Sequence, residues 1–253
     1  NITPLIVSAW AGKSEVVDYL LQQGARVETR DLLEMTTALY GAARVGHPVT
    51  LDKLIAANAD VNTPNLAQRT PLHAAVISWY NNEDPTPKHK YLEVVRSLKH
   101  ASADVNKADL LGMTPLIYAV AASDKLDQRD DDMVGELLTF ANIDLSKRTN
   151  EGFNAFETAA VGLKSNVMRQ LLKPLSRAQA VTAVNSKKPP STNDPDGQVS
   201  TPLRLAVHTL FMNADSPDPL DEQRYLNMFD ILKDAGAEVD VKSAKGTTLL
   251  HDA

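Results

Sequence analysis

Apolar residues return along this chain in short blocks at helical spacing, each introduced by a small-residue run and closed by a polar turn. Six blocks show the pattern: Val16-Val17-Tyr19-Leu20-Leu21, Leu51-Leu54-Ile55, Leu92-Val94-Val95-Leu98, Val134-Leu137-Leu138, Val167-Met168-Leu171-Leu172 and Met228-Phe229-Ile231-Leu232. Residues three and four apart share one face of a helix, so each block predicts an amphipathic helix whose apolar stripe is core. Ahead of the blocks lie Ala-rich runs that include Ala9, Ala11, Ala42, Ala43, Ala74, Ala75, Ala159 and Ala160. They predict first helices thin enough for neighbours to approach closely. Most open on Thr-Pro (Thr3-Pro4, Thr70-Pro71, Thr114-Pro115, Thr201-Pro202). Thr is a good N-cap and Pro is favoured at the first helical position, so the pair starts a helix for a physical reason.

The helix pairs repeat. Their starts fall near residues 3, 37, 70, 114, 154, 201 and 248, giving steps of 34, 33, 44, 40, 47 and 47 residues. Gly24-Ala25-Arg26-Val27-Glu28, Asn58-Ala59-Asp60-Val61-Asn62, Ser102-Ala103-Asp104-Val105-Asn106 and Gly236-Ala237-Glu238-Val239-Asp240 recur at nearly constant distances ahead of the following start. Thr70-Pro71-Leu72-His73, followed by Ala74 and Ala75, is the fullest copy of the start. With a period of about 33 residues, this motif resembles the ankyrin repeat family over essentially the whole chain. The resemblance implies an all-α, ankyrin-repeat solenoid of about six helix-turn-helix units plus a partial seventh, forming one domain over residues 1–253. It also implies that His73 and His251 hydrogen-bond between repeats rather than act in chemistry. Such an array is quasi-one-dimensional and has no single central core.

The longer steps locate insertions in repeats 3, 4, 5 and 6. Between the helices of repeat 3 lies Trp79 to Lys90, Pro-broken and polar, which reads as loop. Ser123 to Asp132 and Asn213 to Glu222 lengthen repeats 4 and 6 at the same place and are acidic. Repeat 5 is lengthened after its second helix, by an extra helix near Ser176 to Val184 and then a loop over Ser186 to Gly197. Insertions on one edge of a solenoid mark a binding face, while acidic loops also serve as solvated spacers; both readings stand. A last repeat that stops at Ala253 leaves an apolar flank to be covered, by further chain or by a tail.

Composition narrows the function classes. The chain is 43% hydrophobic but only 5% aromatic, which suits stacked helix pairs with small aliphatic contacts. A net charge of −6 argues against a nucleic-acid partner. Absence of cysteine excludes disulfides, thiolate metal sites and a Cys nucleophile. It fits an exported, periplasmic protein slightly better than a cytoplasmic one, with the compartment left open. No apolar run approaches the roughly 18 residues of a membrane span. Nucleophile elbows, paired metal-binding histidines and phosphate-binding glycine loops are missing, so no enzyme activity and no cofactor are expected. Asp124, Asp127, Asp130, Asp131 and Asp132 do not follow the spacing of a calcium loop, and read as a solvated acidic loop.

In the family, partners are bound by turn tips and by the exposed side of first helices. Here the first three tips carry Asp31-Leu32-Leu33-Glu34-Met35, Asn65-Leu66-Ala67-Gln68-Arg69 and Asp109-Leu110-Leu111-Gly112-Met113. Leu32, Leu66 and Leu110 thus stand at one tip position in three consecutive repeats. Exposed, they form a binding row; buried against one another, they merely stiffen the turns. Trp10, Arg44 and Ile77 take the matching positions on first helices, and Met35, Arg69 and Met113 flank the row. Trp79 and Tyr80 either extend this patch or pack the insertion down onto the helices. The expected function is a non-catalytic protein-interaction module, monomeric before binding, whose partner is another protein. Its size and plan resemble bacterial ankyrin inhibitors that neutralise the producing cell's own exported hydrolases, such as cell-wall peptidases. The alternative is a scaffold or effector region of a larger protein whose catalytic domain lies outside these residues.

Overall fold

The computed structural model describes residues 2–81, 88–123, 132–187, 201–212 and 219–239. Thirteen helices and no strand are found among them: α1 Pro4–Trp10, α2 Ser14–Gln22, α3 Ala38–Val45, α4 Pro48–Ala56, α5 Pro71–Asn81, α6 Lys88–His100, α7 Pro115–Ala122, α8 Asp132–Leu137, α9 Ala155–Val161, α10 Ser165–Leu172, α11 Arg177–Val184, α12 Pro202–Met212 and α13 Pro219–Asp234. They form two compact units. The N-terminal unit comprises residues 1–119 with 139–143, and the C-terminal unit residues 120–138 with 144–253.

Helix starts follow the capping chemistry of the sequence. Thr3 Oγ1 accepts from the Ile6 amide, Thr37 Oγ1 from Tyr40 and Thr114 Oγ1 from Ile117. Asn154 replaces Thr in repeat 5 and forms a reciprocal capping box with Glu157, which satisfies two otherwise orphaned amides. Ser176 does the same with Gln179 and starts the extra helix α11, as the sequence predicts.

In the N-terminal unit the first helices pack in order, α1 on α3 and α3 on α5, and the second helices likewise, α2 on α4 and α4 on α6. Ala9, Ala42, Ala43, Ala74 and Ala75 are buried at the first-helix contacts, where a methyl group is all the space admits. Second-helix stripes bury Val17, Leu51, Leu54, Val94, Val95 and Leu98. In the C-terminal unit α9 packs on α12, and α10 on α8 and α13. Val134, Leu137, Val167, Met168, Leu171, Met228 and Leu232 form its core.

Two expectations are corrected. Val16 and Tyr19 are not core: they are 46% and 61% exposed, because their side of α2 meets no helix of the N-terminal unit. The third-repeat insertion is helical at both ends, since Trp79, Tyr80 and Asn81 continue α5 and Lys88 to Lys90 begin α6. Residues 82–87, Asp124 to Asp131, 188–200, 213–218 and the partial seventh repeat with His251 lie outside the described residues.

One register position locks successive repeats twice over. His47, ten residues after Thr37, donates from Nε2 to the Trp10 carbonyl at 3.1 Å, at the C-terminal end of α1. Lys164, ten residues after Asn154, donates from Nζ to the Val120 and Ala121 carbonyls at 2.6 Å each, at the end of α7. Both side chains fill acceptors that a helix cannot satisfy internally at its C-terminus, and the lysine also places positive charge at the negative end of the helix dipole.

Candidate protein-binding surface

Each N-terminal tip is folded by one side chain. Asp31 Oδ1 accepts from the amides of Leu33 and Glu34 at 2.8 Å, and Oδ2 from the Thr36 amide at 2.8 Å and from its hydroxyl. Burial alone would push this carboxyl up, but the bonds from Thr36, Glu34 and Leu33 outweigh it and bring it from 3.8 to about 2. Asn65 Oδ1 accepts from Ala67 and Arg69, and Asp109 Oδ1 from Leu111 and Met113. Adjacent tips are also tied by main chain, the Leu66 amide donating to Glu34 O at 2.8 Å and Leu110 to Ala67 O at 3.2 Å. The apolar side chains are therefore carried on a pinned scaffold.

They are exposed rather than packed on one another. Leu32 and Leu33 are 71% and 79% exposed, Leu66 65%, Leu110 62% and Leu111 60%. Beside them runs a groove of about 460 Å³. Leu33, Glu34, Leu66, Ala67 and Leu110 line it from the tips; Tyr40, Arg44, Ala74, Ile77 and Ser78 line it from the first helices, with Asn65 and Arg69 completing it. The register differs from the sequence alignment. Leu33, not Leu32, joins Leu66 and Leu110 at the groove, because the first tip closes between Asp31 and Thr36 while the others close one residue sooner, between Asn65 and Arg69 and between Asp109 and Met113.

The polar groups of the groove are held from beneath. Arg44 pairs with Glu34 at 3.2 Å, and its guanidinium lies 5.5 Å from the centroid of the half-buried Trp10 ring. Trp10 in turn rests against Gly41: a β-carbon there would stand 1.7 Å from its Cδ1. Its indole is thus a support for Arg44 as much as a contact surface. Arg69 reaches from the second tip to the Asp109 carboxylate of the third, Nε to Oδ2 at 3.3 Å, bonds the Tyr118 hydroxyl and sits 5.3 Å from that ring's centroid. His73, fully buried, joins the same tips from below. Its Nε2 donates to the Met113 carbonyl at 3.0 Å, and its Nδ1 accepts from the Thr70 amide and hydroxyl, which holds the ring neutral. Burial lowers its pKa from 6.5 to about 4, against the Met113 bond and Asp109.

Of the residues singled out from sequence, Leu33, Arg44, Leu66, Arg69, Ile77 and Leu110 meet at the groove. Leu32, Leu111 and Met35 are exposed on the tips outside it, and Met113 is half-buried, its carbonyl taken by His73. Trp79 is a correction: it is only 7% exposed, with the Lys88 ammonium 5.2 Å from its ring centroid, so it packs the helical end of the insertion down instead of extending the patch. Tyr80 is half-buried beside it. Ala74 and Ser78, not assigned to the binding patch from the sequence, join Ile77 on one side of α5, since Ile77 and Ser78 follow Ala74 by three and four residues, the spacing that could have found them. Among the described residues no group of three or more His, Cys, Asp or Glu is placed to hold a metal ion. None of their helices is long and apolar enough to cross a membrane.

Comparison with known proteins agrees with this architecture. Residues 5–84 match a family described as ankyrin repeats in three copies, and residues 68–110 match the single ankyrin repeat. A putative ankyrin repeat protein of fowlpox virus is 32% identical over 127 residues, 49% of this chain and 34% of the viral protein. Human ankyrin repeat and SOCS box protein 6 is 29% identical over 153 residues, 60% of this chain and 34% of the human protein. The chain therefore spans about a third of the length of these relatives. The crystal structure of the human ASB11 ankyrin repeat domain superimposes with a TM-score of 0.64 at 18% identity, covering 99% of this chain and 91% of that one. Ankyrin repeats are protein-interaction modules, generally without catalysis. With helix pairs, Thr-capped starts, tied tips and inter-repeat histidine bonds all in place, residues 5–110 are ankyrin repeats and the chain has the fold of an ankyrin repeat domain.

Proposed function

We propose that the N-terminal unit binds another protein through its tip row and groove, without catalysis. The observation that carries this reading is the exposure of Leu33, Leu66 and Leu110 on tips fixed by hydrogen bonds, beside a groove whose charges are already oriented. Fixed tips lose little conformational freedom on docking, so more of the burial free energy, about 1.5–3 kcal/mol per Leu, is kept as affinity. Arg44 and Glu34, each about half exposed, give polar direction at the rim of the apolar row.

Two finer functions are proposed for the same surface. In one, a tip enters the cleft of an exported hydrolase and blocks substrate, which makes the protein a self-protection inhibitor in the periplasm. In the other, favoured by a likeness to an E3 ubiquitin-protein ligase of Arabidopsis thaliana, 28% identical over 181 residues, the surface recruits a protein to catalytic machinery elsewhere. A photo-crosslinking amino acid in place of Leu66 tests the binding reading. It is expected to capture one protein from cells of the source organism, whereas the same group in place of the exposed Val49 on α4 captures none. Equal capture at both positions refutes it, and the activity of the captured protein separates the two finer readings.

A further inference from the structure

The face of repeat 1 that looks away from repeat 2 is built like an inter-repeat interface, not like the end of an array. The comparison is by register, counting from Thr3 and Thr37. In repeat 2, Gly41 is covered by Trp10 of the preceding repeat, His47 donates to the Trp10 carbonyl, Thr50 is 1% exposed, and Lys53 pairs with Asp18. The same four positions of repeat 1 hold Val7, Lys13, Val16 and Tyr19. Val7, Val16 and Tyr19 are 54%, 46% and 61% exposed, and Ile2 beside them 53%. Terminal repeats need a polar outer face to stay soluble, yet three of these four residues are apolar.

The fourth points to what belongs there. Lys13 is exposed at the N-terminal end of α2, in the register where His47 and Lys164 reach back to C-terminal carbonyls of a preceding first helix. An ammonium there complements the negative end of a helix dipole. We propose that this flank takes one further helix pair of the same repeat type, presented in cis as at every inter-repeat interface of the N-terminal unit, with the C-terminal carbonyls of its first helix on Lys13. Its specification can be read from the flank. Val7 fills the notch that Gly41 leaves open for Trp10, so the incoming first helix carries a small side chain in the Trp10 register, as repeat 4 does with Ala121. This inference is independent of the tip row, which lies on other residues.

The test compares the 253-residue chain with the same chain preceded by a copy of residues 37–67, the copy's Arg44 changed to Ala, so that Asn1 and Ile2 continue its tip. The expected result is added helical signal by circular dichroism, a Tm higher by about 4 °C or more, and slower amide exchange in α1 and α2. Lys13→Met and Tyr19→Lys should each remove part of the gain in the extended chain while leaving the unextended chain unchanged. Two results overturn the proposal. One is an extension that adds no helix or leaves exchange in α1 and α2 as it was. The other is a chain that is already dimeric without the extension and becomes monomeric with Tyr19→Lys, which would show that a second copy covers the flank.

Discussion

The Trp10 indole occupies the space that a side chain at Gly41 would need, with Cδ1 and Nε1 1.7 Å and 1.8 Å from where a β-carbon would stand. Gly41 sits inside α3, where glycine is costly for a helix, and this close approach of the preceding repeat is the reason it is there. Gly41→Ala should therefore destabilise the chain by about 1–3 kcal/mol despite its better helix propensity, as overpacking does. Urea denaturation measures it. Because Arg44 lies over the displaced ring, the same variant should also weaken partner binding.

His73 predicts the acid sensitivity of the N-terminal unit. Its folded pKa, about 4, lies below the unfolded 6.5, so the unfolded state binds more protons between these values. The stabilisation is complete above pH 6.5 and is lost as pH falls towards 4, by roughly 3 kcal/mol in all. His47 shifts in the same direction, burial again leading. Asp31 acts in a lower window, its contribution disappearing between pH 3.8 and 2. Stability measured against pH should fall across 6.5 to 4 in the wild type, and His73→Gln should flatten that slope.

Lys164 makes the equivalent lock in the C-terminal unit with a buried cation. Lys164→Met leaves the Val120 and Ala121 carbonyls without its ammonium, and should cost about 1–3 kcal/mol. Hydrogen exchange should show the loss first at the end of α7 and the start of α10.

Tip backbones carry strain that can be relieved. Met35 and Gln68 hold φ of 56° and 60°, where the third and fourth tips use Gly112 and Gly152 at 74° and 85°. Left-handed backbone costs a non-glycine residue about 1 kcal/mol or more, offset in part by the unfolded-state freedom of glycine. Gln68→Gly should raise stability by up to about 1 kcal/mol, and Gly112→Ala should lower it by about as much or more. Thermal denaturation of the two variants decides the sign.

The repeat plan was legible because it rests on local chemistry: Thr3, Thr37 and Thr114 cap helices with their own side chains, and Ala42, Ala43, Ala74 and Ala75 mark close contact wherever they occur. What escaped the sequence depends on a neighbouring repeat. Gly41 looks like a helix defect until Trp10 is placed on it. Trp79 looks like a binding residue until α5 is seen to continue through it. The first tip aligns by composition, but its extra residue before Thr36 turns Leu33 to the groove in place of Leu32. Val16 and Tyr19 satisfy the helical stripe and still face outward, because periodicity reports the face of a helix and not whether anything lies against it.

The most direct measurement of the central claim is the affinity of the crosslink-identified partner for the wild-type chain and for a Leu33→Asp, Leu66→Asp, Leu110→Asp triple variant, by titration calorimetry. These side chains are mostly solvent-exposed, so Tm should shift by only about 2 °C. Kd should rise by about 100-fold or more, the loss expected when an apolar anchor row meets charge. A folded triple variant that binds with unchanged Kd would contradict the account.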